Sequence, residues 1–256
     1  MTTVIGQEGS ISYGAYPYFY VNGLGISNDA TTPNTKLDIA SGACIDSTAT
    51  FQMINNGSLV INAATNGLNG LDTGSLAAST VYAVHLVSDP VTLQAIGAMI
   101  SLSSTAPLMP FGYSAFRLIG YVTTDSSVHF LKGYWSAGNG SQRAFTYDAP
   151  IIALTAGTQT GYTGVDLTTF VPAVNNTPVV LYSNFTANAA ADVEALQGYA
   201  STGDAVTIVA PIAGATAHTT SQNTVLAQLN SGAPSIKYKV SAGALALYVC
   251  SYVFNI

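Results

Sequence analysis

Three histidines, two cysteines and twelve carboxylates are the groups through which this chain could do chemistry. Their spacing assigns them little. Asp192 and Glu194 stand two residues apart in a stretch read as an exposed loop. A glycosidase instead needs two carboxylates opposed across the scissile bond. His85 lies inside an apolar, strand-like run and reads as a packed side chain, His129 follows a turn, and His218 lies in a Thr-rich loop. No Gly-X-Ser-X-Gly elbow is present to expose a nucleophilic serine. Cys44 and Cys250 sit near opposite ends in apolar contexts, as one long-range disulfide or as two buried thiols. Two cysteines and three distant histidines make no zinc pattern. The sequence therefore nominates no catalytic residue, no metal ligand and no cofactor.

The glycine-rich stretch "NGLNGLDTGSLAAST", Asn66–Thr80, is the next place to look for a binding loop. A phosphate cradle would need a following lysine or dinucleotide spacing, and neither is there. A calcium loop needs several acidic oxygens close together, and "NGLNGLD" offers only Asp72. Gly67, Gly70 and Gly74 are expected to serve turns or close backbone approach. Asp72, before Thr73-Gly74, is expected to bond its side chain to the local backbone.

Composition narrows the function class. Only 7% of the 256 residues are charged, against about 25% in an average soluble domain. The surface must be covered by Ser, Thr, Asn, Gln, Gly and Tyr, which suits lasting contact with other subunits. Lys36, Arg117, Lys132, Arg143, Lys237 and Lys239 are scattered and the net charge is −6, so no basic stripe invites nucleic acid. No apolar run reaches the roughly 18 residues of a membrane span. The opening "MTTVIGQEGSISYG" lacks the pattern of a secretion signal.

The elements that must position these residues read as β-strands. Val, Ile, Thr and Tyr abound, and Gly, Asn, Asp, Pro and Ser interrupt them at short intervals, as in sandwiches and barrels. "STVYAVHLVSD" (Ser79–Asp89) is apolar on both faces and reads as a central strand. "SLVINAAT" follows the turn-forming Asn56-Gly57. Strands are also expected in "AIGAMISLSS", "FRLIGYVT" and "VHFLKGYW", and a short one in "RAFTYDAP" ending at Pro150. Further strands are expected at Pro178–Phe185, Glu194–Ala200, Ala205–Ile212, Ser235–Val240 and Leu245–Phe254. The Ala-rich segment Ala187–Leu196 is too short for a free-standing helix and reads as a loop entering a strand. Texture changes near Pro150, where aromatic density falls. The expectation is an all-β protein of two antiparallel, jelly-roll-like β-sandwich domains, 1–148 and 149–256.

Two aromatic segments stand out. "YGAYPYFY" places Tyr13, Tyr16, Tyr18, Phe19 and Tyr20 together, the best candidates for docking to another subunit or a capsid or for packing on this chain's own domain, with ligand binding as the remaining alternative. In "TAPLMPFGY", Pro107 and Pro110 force an extended chain. Phe111 and Tyr113 are then expected to pack over a sheet or a subunit, with a glycan-stacking platform as the functional alternative.

Several unusual words occur in order: "GISNDATTPNTKLDIASGACIDST" (Gly25–Thr48), "NGLNGLDTGSLAASTVYAV" (Asn66–Val84) and "TAPLMPFGYSAFRLIGYVTTD" (Thr105–Asp125). Together they resemble a recurrent module in virion structural proteins of tailed bacteriophages. "TGVDLTTFVP" and "IKYKVSAGALALYVCSYV" resemble the segment C-terminal to that module in such proteins. The resemblance implies a non-enzymatic, homo-oligomeric virion protein, often a trimer, assembled in the host cytoplasm. Its partners would be itself, the major capsid protein or other virion proteins, and a host glycan if it sits on a fibre. No shaft repeats or heptads precede the module, which favours capsid decoration over a tail-fibre or baseplate receptor-binding role.

Overall fold

A computed structural model describes residues 20–90, 96–136, 138–139, 142–189, 192–202, 206–209 and 218–255. In chain order the strands are β1 Val21–Gly23, β2 Ile26–Asn28, β3 Lys36–Ile39, β4 Gly42–Ile45, β5 Gln52–Asn55, β6 Leu59–Asn62, β7 Val81–Ser88, β8 Ile96–Ser101, β9 Ala115–Thr123, β10 Gly133–Trp135 and β11 Gly138–Asn139. The remainder are β12 Gln142–Gly157, β13 Thr163–Asp166, β14 Thr177–Thr186, β15 Val193–Gly198, β16 Val206–Val209, β17 His218–Asn230, β18 Ala233–Val240 and β19 Ala244–Asn255. Among the described residues there is no helix, and the named strands pair antiparallel throughout. The chain is all-β, built of antiparallel sheets stacked as a sandwich.

Three sheets carry the architecture. A four-stranded sheet runs β11-β1-β4-β5, and a three-stranded sheet runs β8-β7-β9. The third is long and crosses the whole chain, in the order β16-β15-β18-β17-β14-β19-β12-β10-β2-β3-β6, with β13 added to β18. It folds over at the β17–β18 hairpin, where only Gln228–Asn230 pair with Ala233–Ser235. Beyond that hairpin the layer β13-β18-β15-β16 lies opposite the layer β12-β19-β14-β17. The spacing of apolar residues explains the stack. On β14 every second residue from Thr177 to Phe185 is buried, and on β19 Leu245, Leu247 and Val249 alternate in the same way. Period-two burial of this kind gives each strand one face toward the core.

β7 is the middle strand of its sheet and is buried from Tyr82 to Ser88, as its two-sided apolar pattern requires. β12 departs from the reading of a short strand ending at Pro150. It continues for 16 residues to Gly157, with its register against β19 shifted between Thr146 and Ile151. The shift explains how proline is accommodated. A strand tolerates a residue without an N–H donor where the ladder is interrupted. The expected seam at 148/149 falls within this interruption, and β19 pairs with β12 on both sides of it, from Gln142↔Asn255 to Gly157↔Leu245.

An aromatic cluster fills the core at this place. Trp135 lies 5.3 Å from Phe145 and 5.5 Å from Tyr252, Phe145 meets Tyr147 edge-on at 4.8 Å, and Tyr121 meets Phe254 at 4.8 Å. Edge-to-face pairs of this kind add about 0.5–1.5 kcal/mol beyond the area they bury. Buried residues of both sequence halves join in one continuous core.

Candidate functional site

The groups that could do chemistry are dispersed by the fold. His85 is fully buried on β7, packs edge-on to Phe116, and meets the Ser103 carbonyl through Nε2 at 2.9 Å. A carbonyl only accepts, so Nε2 carries the proton. Burial holds the imidazole down to about 4, and the ring is neutral at physiological pH. His129 is exposed and stands 3.8 Å from Asp125, four residues earlier in the same turn. His218 opens β17 opposite Thr186, in strand rather than loop. Cys44 and Cys250 are free thiols, the first buried with its thiol pushed up to about 12. Among the described residues no group of three or more His, Cys, Asp or Glu could hold a metal ion.

Asp192 and Glu194 do not share an exposed loop. Asp192 accepts the N–H groups of Asn188 and Ala189 in the turn before β15. Glu194 is within β15 and fully buried. Its neighbours across the ladders are Ile208 and Val240, and neither carboxyl oxygen has a well-formed hydrogen bond. Burial raises its carboxyl to about 7, with Ser183 pulling weakly the other way. Ser183 begins a polar line that runs outward through the half-buried Ser221 and Asn223, with the Ser183 and Ser221 hydroxyl oxygens 2.7 Å apart and the Asn223 amide 2.6 Å from Ser221.

The glycine-rich stretch does its work on the edge of β8. The Ile100 N–H donates to the Gly70 carbonyl, the Asp72 N–H to the Ile100 carbonyl, and the Asn69 N–H to the Ala98 carbonyl. The Asn69 side chain accepts the Ala98 N–H. An edge that would template another chain is thereby covered. Gly70 is required by proximity, because a Cβ there would meet the Thr65 carbonyl oxygen at 2.2 Å. Gly67 and Gly74 are required by their backbones, at φ +95° and +77°.

Asp72 reaches further than a local turn. One oxygen takes the Thr73 N–H, while the other takes the Ser101 hydroxyl at 2.6 Å and the Leu108 N–H at 3.1 Å. Ser101 in turn accepts the Ser103 N–H, and Ser103 accepts the Ala106 N–H. Asp72 and His85 thus hold the Pro-rich loop 102–113 at its base. The apex is bare. Leu102 is 71% exposed, Leu108 62%, and Phe111 entirely so. Phe111 does not pack over a sheet as expected. Gly112, at φ +87°, turns the chain back immediately after it, and the Tyr113 N–H closes on the Pro110 carbonyl. Beside the loop is a cavity of about 330 Å³ lined by Leu102, Ser104, Ser79, Tyr121, Thr168 and Val171, with no charged side chain on its wall.

Of the expected contact residues, Tyr13, Tyr16, Tyr18 and Phe19 lie outside the described residues. Tyr20 is half-buried, and its carbonyl accepts the Ile45 N–H beside β4. Reading the sequence missed Arg143. It is 1% exposed on β12 and donates to the carbonyls of Ile119, Gly23, Leu24 and Ser136. Desolvation lowers its guanidinium to about 10. The signal was its parity, since Arg143, Phe145 and Tyr147 alternate onto one buried face.

The sequence matches no protein-family model and no curated protein. One similar solved structure is a carbohydrate-binding module of Cellvibrio mixtus lichenase 5A in complex with cellotriose, 21% identical over 47% of this chain and 82% of that one, with a TM-score of 0.22. Another is infectious bursal disease virus, Gx strain, 11% identical over 91% of this chain and 71% of that one, with a TM-score of 0.17. Neither superposition is close enough to carry an argument.

Proposed function

We propose that this chain is a non-enzymatic structural protein of a bacteriophage virion, a homo-oligomeric decoration or similar accessory protein seated on the major capsid protein. The observation that supports it most is the apex of loop 102–113. Leu102, Leu108 and Phe111 are held in water by a hydrogen-bonded base, and an ordered apolar tip of this kind loses little entropy when it docks. A surface with so few charges suits a partner that is never released. Mass spectrometry of purified particles tests the reading. A copy number on the scale of the major capsid protein supports decoration, and absence from particles overturns it.

Phe111 favours one second reading. A fully exposed ring is also what stacks against the apolar face of a sugar, so a tail-fibre or baseplate protein recognising a host glycan would use the same tip. That role predicts a few copies per particle and adsorption of the isolated protein to host cells. Either role leaves host polysaccharide uncut, and an assay for released reducing ends is expected to stay at background.

A further inference from the structure

We infer that the outer face of the layer β12-β19-β14-β17 is the surface through which two copies of this chain join. The inference deepens the self-association in the proposed function by naming the surface that mediates it. The registers place Ile152, Tyr248, Tyr182 and Gln222 in one row across the four strands. Tyr182 and Tyr248 are on the less buried parity of their strands, with ring centroids 5.8 Å apart. Ile152 is 44% exposed, and Leu226, across from Pro178 on the same face, is 46% exposed.

Charge decides the occupant. β14, β17 and β19 contain no Asp, Glu, Lys or Arg. The outside of the opposite layer does carry charge, with Lys237 4.6 Å over the Tyr199 ring and Lys239 4.4 Å over that of Tyr162. Two copies of a chain of net charge −6 repel wherever their acidic surfaces meet, and this face lets them approach without that penalty. β12 adds one exposed carboxylate, Asp148, and its Arg143 is buried, so an acidic partner would find no complementary charge here and a basic one only that single group. Chemistry is also matched on rotation. The tyrosines are central in the row, so a twofold-related copy lays aromatic on aromatic.

Area is sufficient. Ten residues of β14 span roughly 33 Å and four strands roughly 19 Å, about 600 Å² per copy. The pair then buries about 1,200 Å², above the roughly 1,000 Å² of a specific interface.

Sedimentation of the full chain, with circular dichroism as the fold control, tests the inference. Leu226→Glu adds a charge at an exposed position, and Tyr248→Glu adds one in the central row. Each is expected to weaken self-association about a hundredfold, because the charge must be desolvated between copies. Phe111→Ala is expected to leave it unchanged. If Tyr248→Glu fails to fold, Leu226→Glu carries the test alone. A wild-type chain that stays monomeric, or a folded Leu226→Glu variant that associates like wild type, overturns the inference. Particle content is measured separately, so an oligomer of another geometry found in virions would sink this surface and spare the proposed function.

Discussion

The carboxylate of Asp72 accepts the hydroxyl of Ser101 at 2.6 Å across 29 residues of sequence, and the same oxygen takes the backbone N–H of Leu108. One acidic side chain thereby ties the glycine-rich stretch to the Pro-rich loop. Asp72→Ala leaves both donors without it. The expected loss is about 1.5–3 kcal/mol, the range for hydrogen bonds to a charged group. Urea unfolding measures it, and hydrogen exchange should accelerate at Leu108 before it does in β7.

Phe111→Ala should behave in the opposite way. A ring that touches nothing contributes little to folding, so stability should stay within about 0.5 kcal/mol. Particle binding, or cell adsorption in the alternative role, should fall at least tenfold in a pull-down at equal protein concentration.

Glu194 makes stability depend on pH. Its folded value, about 7, lies above the ordinary 4.5, so the native state holds the proton more tightly than the unfolded chain. Its favourable contribution is fully present below about pH 4.5 and is lost as pH rises through 7. The span corresponds to about 3 kcal/mol. Glu194→Gln should flatten that part of the stability profile and exceed wild type at pH 8. Chemical denaturation at a series of pH values reads both effects.

Arg143→Met keeps length and apolar packing but removes the donors to four carbonyls. Leaving buried carbonyls unmet is expected to destabilise by about 3 kcal/mol or more. The midpoint of thermal unfolding should drop accordingly, with the aromatic near-ultraviolet signal of Trp135 lost at a lower temperature.

Gly70 and Gly57 form a matched pair. An alanine at 70 would drive its Cβ into the Thr65 carbonyl, whereas nothing lies within 4 Å of one at 57. Gly70→Ala should therefore lower stability by about 2 kcal/mol or more and Gly57→Ala by no more than about 0.5 kcal/mol, read from denaturant midpoints.

Much of the fold was legible because alternation was strong. β7, β9, β14 and β19 carry enough Val, Leu, Tyr and Phe to declare themselves. β17 did not, because both of its faces are polar over Thr219–Thr224 and no period stands out. Its inward Ser221 and Asn223 satisfy each other and Ser183 by hydrogen bonds, which only the folded register brings about. Pro150 hid the length of β12, since a proline normally ends a paired strand unless a bulge absorbs it. For the site, the turn chemistry of Asp72 was readable but its long-range partners were not. Phe111 carries no local mark of exposure, and the burial of Glu194 results from β15 entering the sandwich interior.

β12 and β19 run side by side through both halves of the chain, from Gln142↔Asn255 to Gly157↔Leu245. A pull that tries to part the halves loads these backbone bonds in shear, many at once, instead of stretching a linker. β19 is therefore a strap across the middle of the fold, and any force that parts the two halves has its load path along that strap.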